Sequence, residues 1–243
     1  MPSATYTVLS EHAVNLSFGN EIKRSYHQQV KNALIQLTNA PFAGFRECVP
    51  SYTGVTVFYD PLEVLPAMNQ EEKKEMLVSK KVIQMIEERI QTMEESSEGK
   101  ESKIVTIPVC YEESLGPDLP HVARVNDLSL EEVIAIHTGG EYLVYMLGFA
   151  PGFPFLGGMS PNIAMPRREE PRANIPAGAV GIAGEQTGVY PIETPGGWQL
   201  IGQTPLVLFD AKREQPSLLQ AGDTVRFASI SFEEFHEQKE AGR

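Results

Sequence analysis

Apolar positions along the first hundred residues follow two rhythms. AVNLSFG (13–19) alternates as a short strand and ends at Gly19-Asn20, where Asn20 offers a helix N-cap. Ile22, Tyr26, Val30, Leu34 and Leu37 then recur at helical spacing, predicting an amphipathic helix. FRECV (45–49) and GVTVFYD (54–60) read as two strands around 50–52, the second closed by Asp60-Pro61. From 70 to 93, Met76, Ile83, Ile86, Ile90 and Met93 form a second apolar stripe among Glu and Lys, with core packing the expected role of the methionines. The order β-α-β-β-α predicts a small, ferredoxin-like α+β N-terminal domain over 1–98.

ESSEGKES (95–102) is polar and helix-poor, the composition of a linker. KIVTIPVC (103–110) is a strand that either completes the first sheet or opens the next domain. The break before it favours the second, so a further domain is expected over 99–243. There SLEEVIAIHTGG (129–140) predicts one short helix, with Ser129 and Glu132 at capping-box spacing and Gly139 at the C-terminal end. The rest reads as short strands: EYLVYMLG, AVGIAG, GVYPIE, GWQLIGQ, LVLF and DTVRFA. Residues 148–202 hold 11 of the 20 glycines and 8 of the 18 prolines, and this punctuation predicts an all-β, closed or nearly closed barrel.

Composition narrows the function classes. Lys+Arg 20 against Asp+Glu 32 gives −12, which argues against nucleic-acid and anionic-membrane partners. MPSATYTVLSEHAV has no basic region followed by an apolar run, and no stretch is apolar enough to span a membrane. Cys48 and Cys110 match neither a disulfide framework nor a zinc spacing; they read as buried small hydrophobes in a reducing, cytoplasmic setting. No metal site is expected.

GFAPGFPFLGG (148–158) cannot continue a helix and makes a poor central strand, yet it carries Phe149, Phe153 and Phe155. A loop bearing three rings implies a covering partner or ligand. Downstream, Arg167, Arg168 and Arg172 lie among prolines, which favours bidentate capture of carboxylate or phosphate; pairing with Glu169 and Glu170 is the alternative. Gln186, Thr187 and Tyr190 form a candidate polar rim, with Trp198 as core or platform. His137, at a helix C-terminus, is either structural or an acid–base group. SEGKES lacks the leading glycine and trailing Ser/Thr of a P-loop, so a nucleotide would bind without that motif.

GFAPGFPFLGG, PRREEPRANIPAGAVGIAGEQTGVYPIETPGGWQLIG and IPVCYEESLGPDL resemble the allophanate hydrolase subunit 1 family, over about 6–227. The resemblance implies a small α/β domain followed by a cyclophilin-like β-barrel. It also implies ATP-dependent opening of 5-oxoproline to glutamate, with ATP as cofactor, in a complex with a PxpC/KipA-type protein and a PxpA-like protein. A second implied activity is inhibition of a sporulation histidine kinase. Under the first, Arg167, Arg168 and Arg172 neutralise carboxylate or phosphate, Gln186, Thr187 and Tyr190 orient the amide, and the 149–155 loop packs on the partner. Two positions depart from the family pattern: Gln203 stands where Arg is expected before Thr204-Pro205, and Glu112-Glu113 follow Tyr111 in place of glycines. The aromatic turn and the arginine hairpin are expected side by side, around a hollow that another polypeptide seals.

Overall fold

The computed structural model describes residues 4–21, 23–91 and 103–242. Ile22, Met93 and the proposed linker 95–102 lie outside them. The chain divides into two compact units, Met1–Lys100 and Glu101–Arg243.

The first unit is a four-stranded antiparallel sheet in the order β1-β2-β4-β3, formed by β1 (Thr5–Ser10), β2 (Ala13–Ser17), β3 (Phe45–Pro50) and β4 (Gly54–Tyr59). Helix α1 (Arg24–Asn39) connects β2 to β3. Val30, Ala33 and Leu37 on α1 pack against Val14, Leu16, Val55 and Val57 of the sheet. After β4, Asp60 caps the short α2 (Pro61–Val64) by accepting from the Leu62 N–H. The second apolar stripe breaks into α3 (Glu72–Glu75) and α4 (Val78–Gln91), because Met76 takes an extended backbone. Val82 and Ile86 of α4 join the core, whereas Met76 stays outside it.

The expected β-α-β-β-α order is therefore incomplete. β4 lies between β2 and β3 and is antiparallel to both, as in a split β-α-β unit. The remaining position beside β2 is taken by β1, which precedes it in sequence.

The second unit holds a seven-stranded sheet in the order β12-β9-β10-β7-β6-β13-β5. Its strands are β5 (Ile104–Val109), β6 (Tyr142–Leu147), β7 (Pro154–Gly157), β9 (Ala179–Ala183), β10 (Gln186–Val189), β12 (Gln199–Gln203) and β13 (Thr224–Ser229). The two outermost strands meet: Cys110, just past β5, and Gln203, at the end of β12, exchange backbone hydrogen bonds of 2.9 and 3.0 Å. That bridge makes a nearly closed barrel. A separate ribbon pairs β8 (Arg172–Ile175) with β11 (Thr194–Gly196).

Three differences from expectation matter for the site. Three helices, α5 (Leu119–Val125), α6 (Leu130–Thr138) and α7 (Phe232–Ala241), stand where one was expected; α6 carries the Ser129–Glu132 capping box. LVLF forms no strand beyond one bridge at Phe209. Four of the eleven residues of GFAPGFPFLGG are strand β7, inside the sheet between β10 and β6. Proline is tolerated there because Pro154 is the first residue of the strand. Among the described residues no helix is long and apolar enough to cross a membrane.

Candidate functional site

The arginine loop is tied to α5 by one carboxylate. Asp118 stands at the N-cap of α5, a position where Asp ordinarily accepts from its own helix, yet its side chain makes no cap bond. It turns instead to the arginines. Nη1 and Nη2 of Arg172 donate to Oδ2 and Oδ1 of Asp118, both at 2.8 Å, a fork-to-fork pair; Arg168 Nη1 adds a bond of 3.1 Å. The Leu200 amide of β12 donates to Oδ2 at 2.6 Å, and the Asp118 amide donates back to the Leu200 carbonyl at 2.9 Å. Asp118 is nearly buried, with 8% of its side chain exposed, so these donors replace water. The expected pairing with Glu169 and Glu170 gives way to this longer-range clasp. Arg167 is exposed, and its side chain has no ion pair or hydrogen bond among the described residues.

Beside the clasp lies an aromatic cluster. Phe153 meets Tyr190 and Trp198 edge-on, with ring centroids 5.3 and 5.5 Å away, and Ile175 of β8 packs into the same group. The aromatic segment and the arginine ribbon thus adjoin, but side chains fill the space between them. Phe153, expected at a rim, is 2% exposed, and Tyr190 and Trp198 are buried with it; Phe155 is half-buried. The three-ring loop reduces to Phe149, 70% exposed. It sits at φ 65°, in a tight turn where the Ala150 amide donates to the Gly148 carbonyl at 2.8 Å. A non-glycine residue there is strained. Burial raises the Tyr190 phenol pKa, opposed by the Trp198 amide and by the charges of Arg167 and Arg172.

Thr187 and His137 belong elsewhere. Both are fully buried in the barrel interior, so neither reaches a rim. Tyr111 O–H donates to His137 Nδ1 at 2.7 Å, and His137 Nε2 lies 2.9 Å from Thr187 Oγ1. Thr187 in turn donates to the Gly181 carbonyl, and Tyr142 O–H to the carbonyl of His137. Burial pushes the His137 pKa down to about 3, although a helix C-terminus by itself favours the imidazolium. Gln186 is half-buried on β10. Gln203 is buried, and its side-chain amide donates to the Ala177 carbonyl at 2.6 Å.

Asp118 and Tyr111 were not singled out from the sequence. The only signal was an Asp after Gly-Pro, at a helix start with no competing N-cap. No group of three or more His, Cys, Asp or Glu among the described residues could hold a metal.

The chain is similar to known proteins along nearly its whole length. It is 53% identical over 232 residues to the 5-oxoprolinase B subunit of Bacillus subtilis (strain 168), covering 96% of this chain and 95% of that one. A conserved uncharacterized protein from Pyrococcus horikoshii superposes with a TM-score of 0.54 at 40% identity, over 95% of this chain and all of that one. Kluyveromyces lactis urea carboxylase gives 0.77 at 21% identity, over 99% of this chain and 23% of that one, a likeness of fold. The family described as carboxyltransferase domain, subdomain C and D, matches residues 4–219, and the chain belongs to that family.

Proposed function

We propose that this chain is the B-type member of a multi-subunit, ATP-dependent 5-oxoprolinase that opens 5-oxo-L-proline to L-glutamate in the cytoplasm. It would act with a PxpC/KipA-type protein and a PxpA-like protein. The observation that carries this reading is the 53% identity to a 5-oxoprolinase B subunit across nearly the full length of both chains.

The chemistry suits the surface. A ring amide is a poor electrophile, and ATP supplies the phosphoryl group that makes its oxygen a better leaving group. This chain's part is electrostatic: exposed guanidinium N–H groups next to a stiff, desolvated cluster stabilise negative charge on carboxylate or phosphoryl oxygens. Arg167 and the uncommitted Nη2 of Arg168 supply such donors. Phe149 supplies an apolar contact for the partner.

The test is reconstitution with the two partner proteins. Hydrolysis of ATP that depends on 5-oxoproline, and on the presence of this chain, is the expected result; its absence removes the reading. The alternative is a KipI-like inhibitor of a sporulation histidine kinase. The strained, exposed ring of Phe149 favours it, as an anchor for a helix. Suppressed autophosphorylation of such a kinase on adding the isolated chain would select that reading.

A further inference from the structure

We propose that Arg167 is the residue that contacts an anionic ligand oxygen, carboxylate or phosphoryl, and that Asp118 positions it by clamping its neighbours. The inference rests on the functional reading above and divides the three arginines by task.

Arg167 lies between anchored positions. On one side, Met165 exchanges two backbone bonds with Gly184, at 3.1 and 2.6 Å, and the Pro166 carbonyl accepts from Gln199 Nε2 at 3.1 Å. On the other, the Arg168 amide donates to the Gly197 carbonyl at 2.7 Å while its guanidinium holds Asp118. The backbone of Arg167 is thus fixed from both sides while its side chain remains in solvent. In that arrangement the backbone has little ordering entropy left to lose on binding, and only the side-chain rotamers remain to be fixed. A solvated arginine whose role was merely solubility would have no need of such anchoring.

The pairing of the guanidinium groups points the same way. Arg172 has committed both terminal nitrogens to the Asp118 carboxylate, and Arg168 one of its own. Asp118 cancels one of those two charges, so the trio remains net positive. Counting Arg167 together with the exposed Glu169 and Glu170, the stretch is formally neutral, on a chain of net charge −12. Glu169 and Glu170 form no ion pair with Arg167, although they are two and three positions away. The Asp118 carboxylate gives up capping its own helix for this purpose.

The full chain, labelled on arginine Nε, is titrated with sodium phosphate and separately with sodium 5-oxoproline. The Arg167 Nε–H signal should move and saturate with at least one of them, and the Arg172 signal should move far less. A phosphate response identifies a phosphoryl source and an oxoproline response a substrate carboxylate. Arg167→Gln, whose side chain has no partner to lose, should abolish saturation. Asp118→Asn should weaken it about tenfold while the imidazole signals of His137, inside the barrel, stay in place. Saturable binding that survives Arg167→Gln, an equal response at Arg172, or no response in the wild type overturns the assignment to Arg167. Loss of affinity in Asp118→Asn accompanied by displaced His137 signals makes Asp118 a fold residue and overturns its positioning role. An inactive reconstituted complex removes the functional reading, and the titration still decides Arg167.

Discussion

His137 and Thr187, 50 residues apart in sequence, meet at 2.9 Å inside the barrel and fix one imidazole tautomer. Thr187 Oγ1 gives its single proton to the Gly181 carbonyl and can only accept from the imidazole. Nδ1 is thus bare and accepts from the Tyr111 phenol, whose proton burial keeps on oxygen. Nε2 therefore carries the hydrogen and donates to Thr187 Oγ1, whose own proton goes to the Gly181 carbonyl. Every polar group along this path has a partner, which is what permits a histidine to be fully buried between Phe227, 4.4 Å away in a stacked arrangement, and the sheet.

The pH dependence follows from that neutrality. The folded pKa of His137 is about 3 and its ordinary value is 6.5, so the unfolded chain takes the proton first. The stabilisation is fully present above about pH 6.5 and is lost as pH falls towards 3, at about 1.4 kcal/mol per pH unit. Between pH 7 and pH 5 the wild type should lose about 2 kcal/mol more than His137→Gln in urea unfolding. Equal losses, or imidazolium carbon shifts at pH 5, would contradict the assignment. Thr187→Val, which leaves a buried N–H without an acceptor, should cost about 1–3 kcal/mol at pH 7.

The arginines should separate by stability. Arg172→Ala removes both bonds of the fork and leaves Asp118 with Arg168 and the Leu200 amide, a loss of about 2–3 kcal/mol after discounting for the part of Arg172 that meets water. Arg167→Ala breaks no contact and should leave the melting temperature within a degree or so of wild type, as exposed substitutions do. Differential scanning calorimetry on both variants checks this, and matching melting temperatures would refute the clasp.

Local signals were legible in the sequence, and distant ones were not. Periodicity located α1 and β2 to β4 within a few residues, and Ser129 with Glu132 announced α6 through a capping box that the structure contains. Ser231 and Glu234 have the same spacing at the start of α7, a signal present but passed over. β7 was hidden because its Pro154 and Gly157 read as breakers, while the barrel on both sides supplies the pairing that propensity withholds. Asp118 was hidden for a different reason: its side-chain partners lie 50, 54 and 82 positions away, and only the closed barrel brings them together.

Phe149 and Phe153, four residues apart, should respond in opposite ways. Phe153→Ala empties the centre of a cluster shared with Tyr190 and Trp198 and should cost about 3–5 kcal/mol. Phe149→Gly relieves a positive-φ backbone but gives up an edge-on contact with Phe153, 5.6 Å between ring centroids, so the isolated chain should keep its stability to within about 1 kcal/mol. Assembly with the partner proteins should nevertheless weaken, measured as the dissociation constant of the complex. Unchanged assembly would mean that the ring serves no contact.

Two glycines set a final contrast between steric and torsional cost. A Cβ on Gly116 would stand 2.2 Å from the Ile201 carbonyl oxygen and 2.8 Å from the Gly202 amide, backbone atoms of β12 that cannot rotate away. Gly116→Ala must therefore push the 116–118 segment off the barrel wall, and the paired bonds between Asp118 and Leu200 would open with it. The expected loss is about 3 kcal/mol or more, together with the grip on Arg168 and Arg172. Gly184 presents the opposite case, with φ +60° and nothing within 4 Å of its Cβ position. Gly184→Ala meets torsional strain alone, about 1–2 kcal/mol. Urea midpoints should rank wild type above Gly184→Ala above Gly116→Ala. An anion titration at Arg167 should fail in Gly116→Ala and persist in Gly184→Ala, because only the first dislodges the carboxylate that clamps the residues beside it. The reverse ranking would show that the 116–118 turn does not rest on β12.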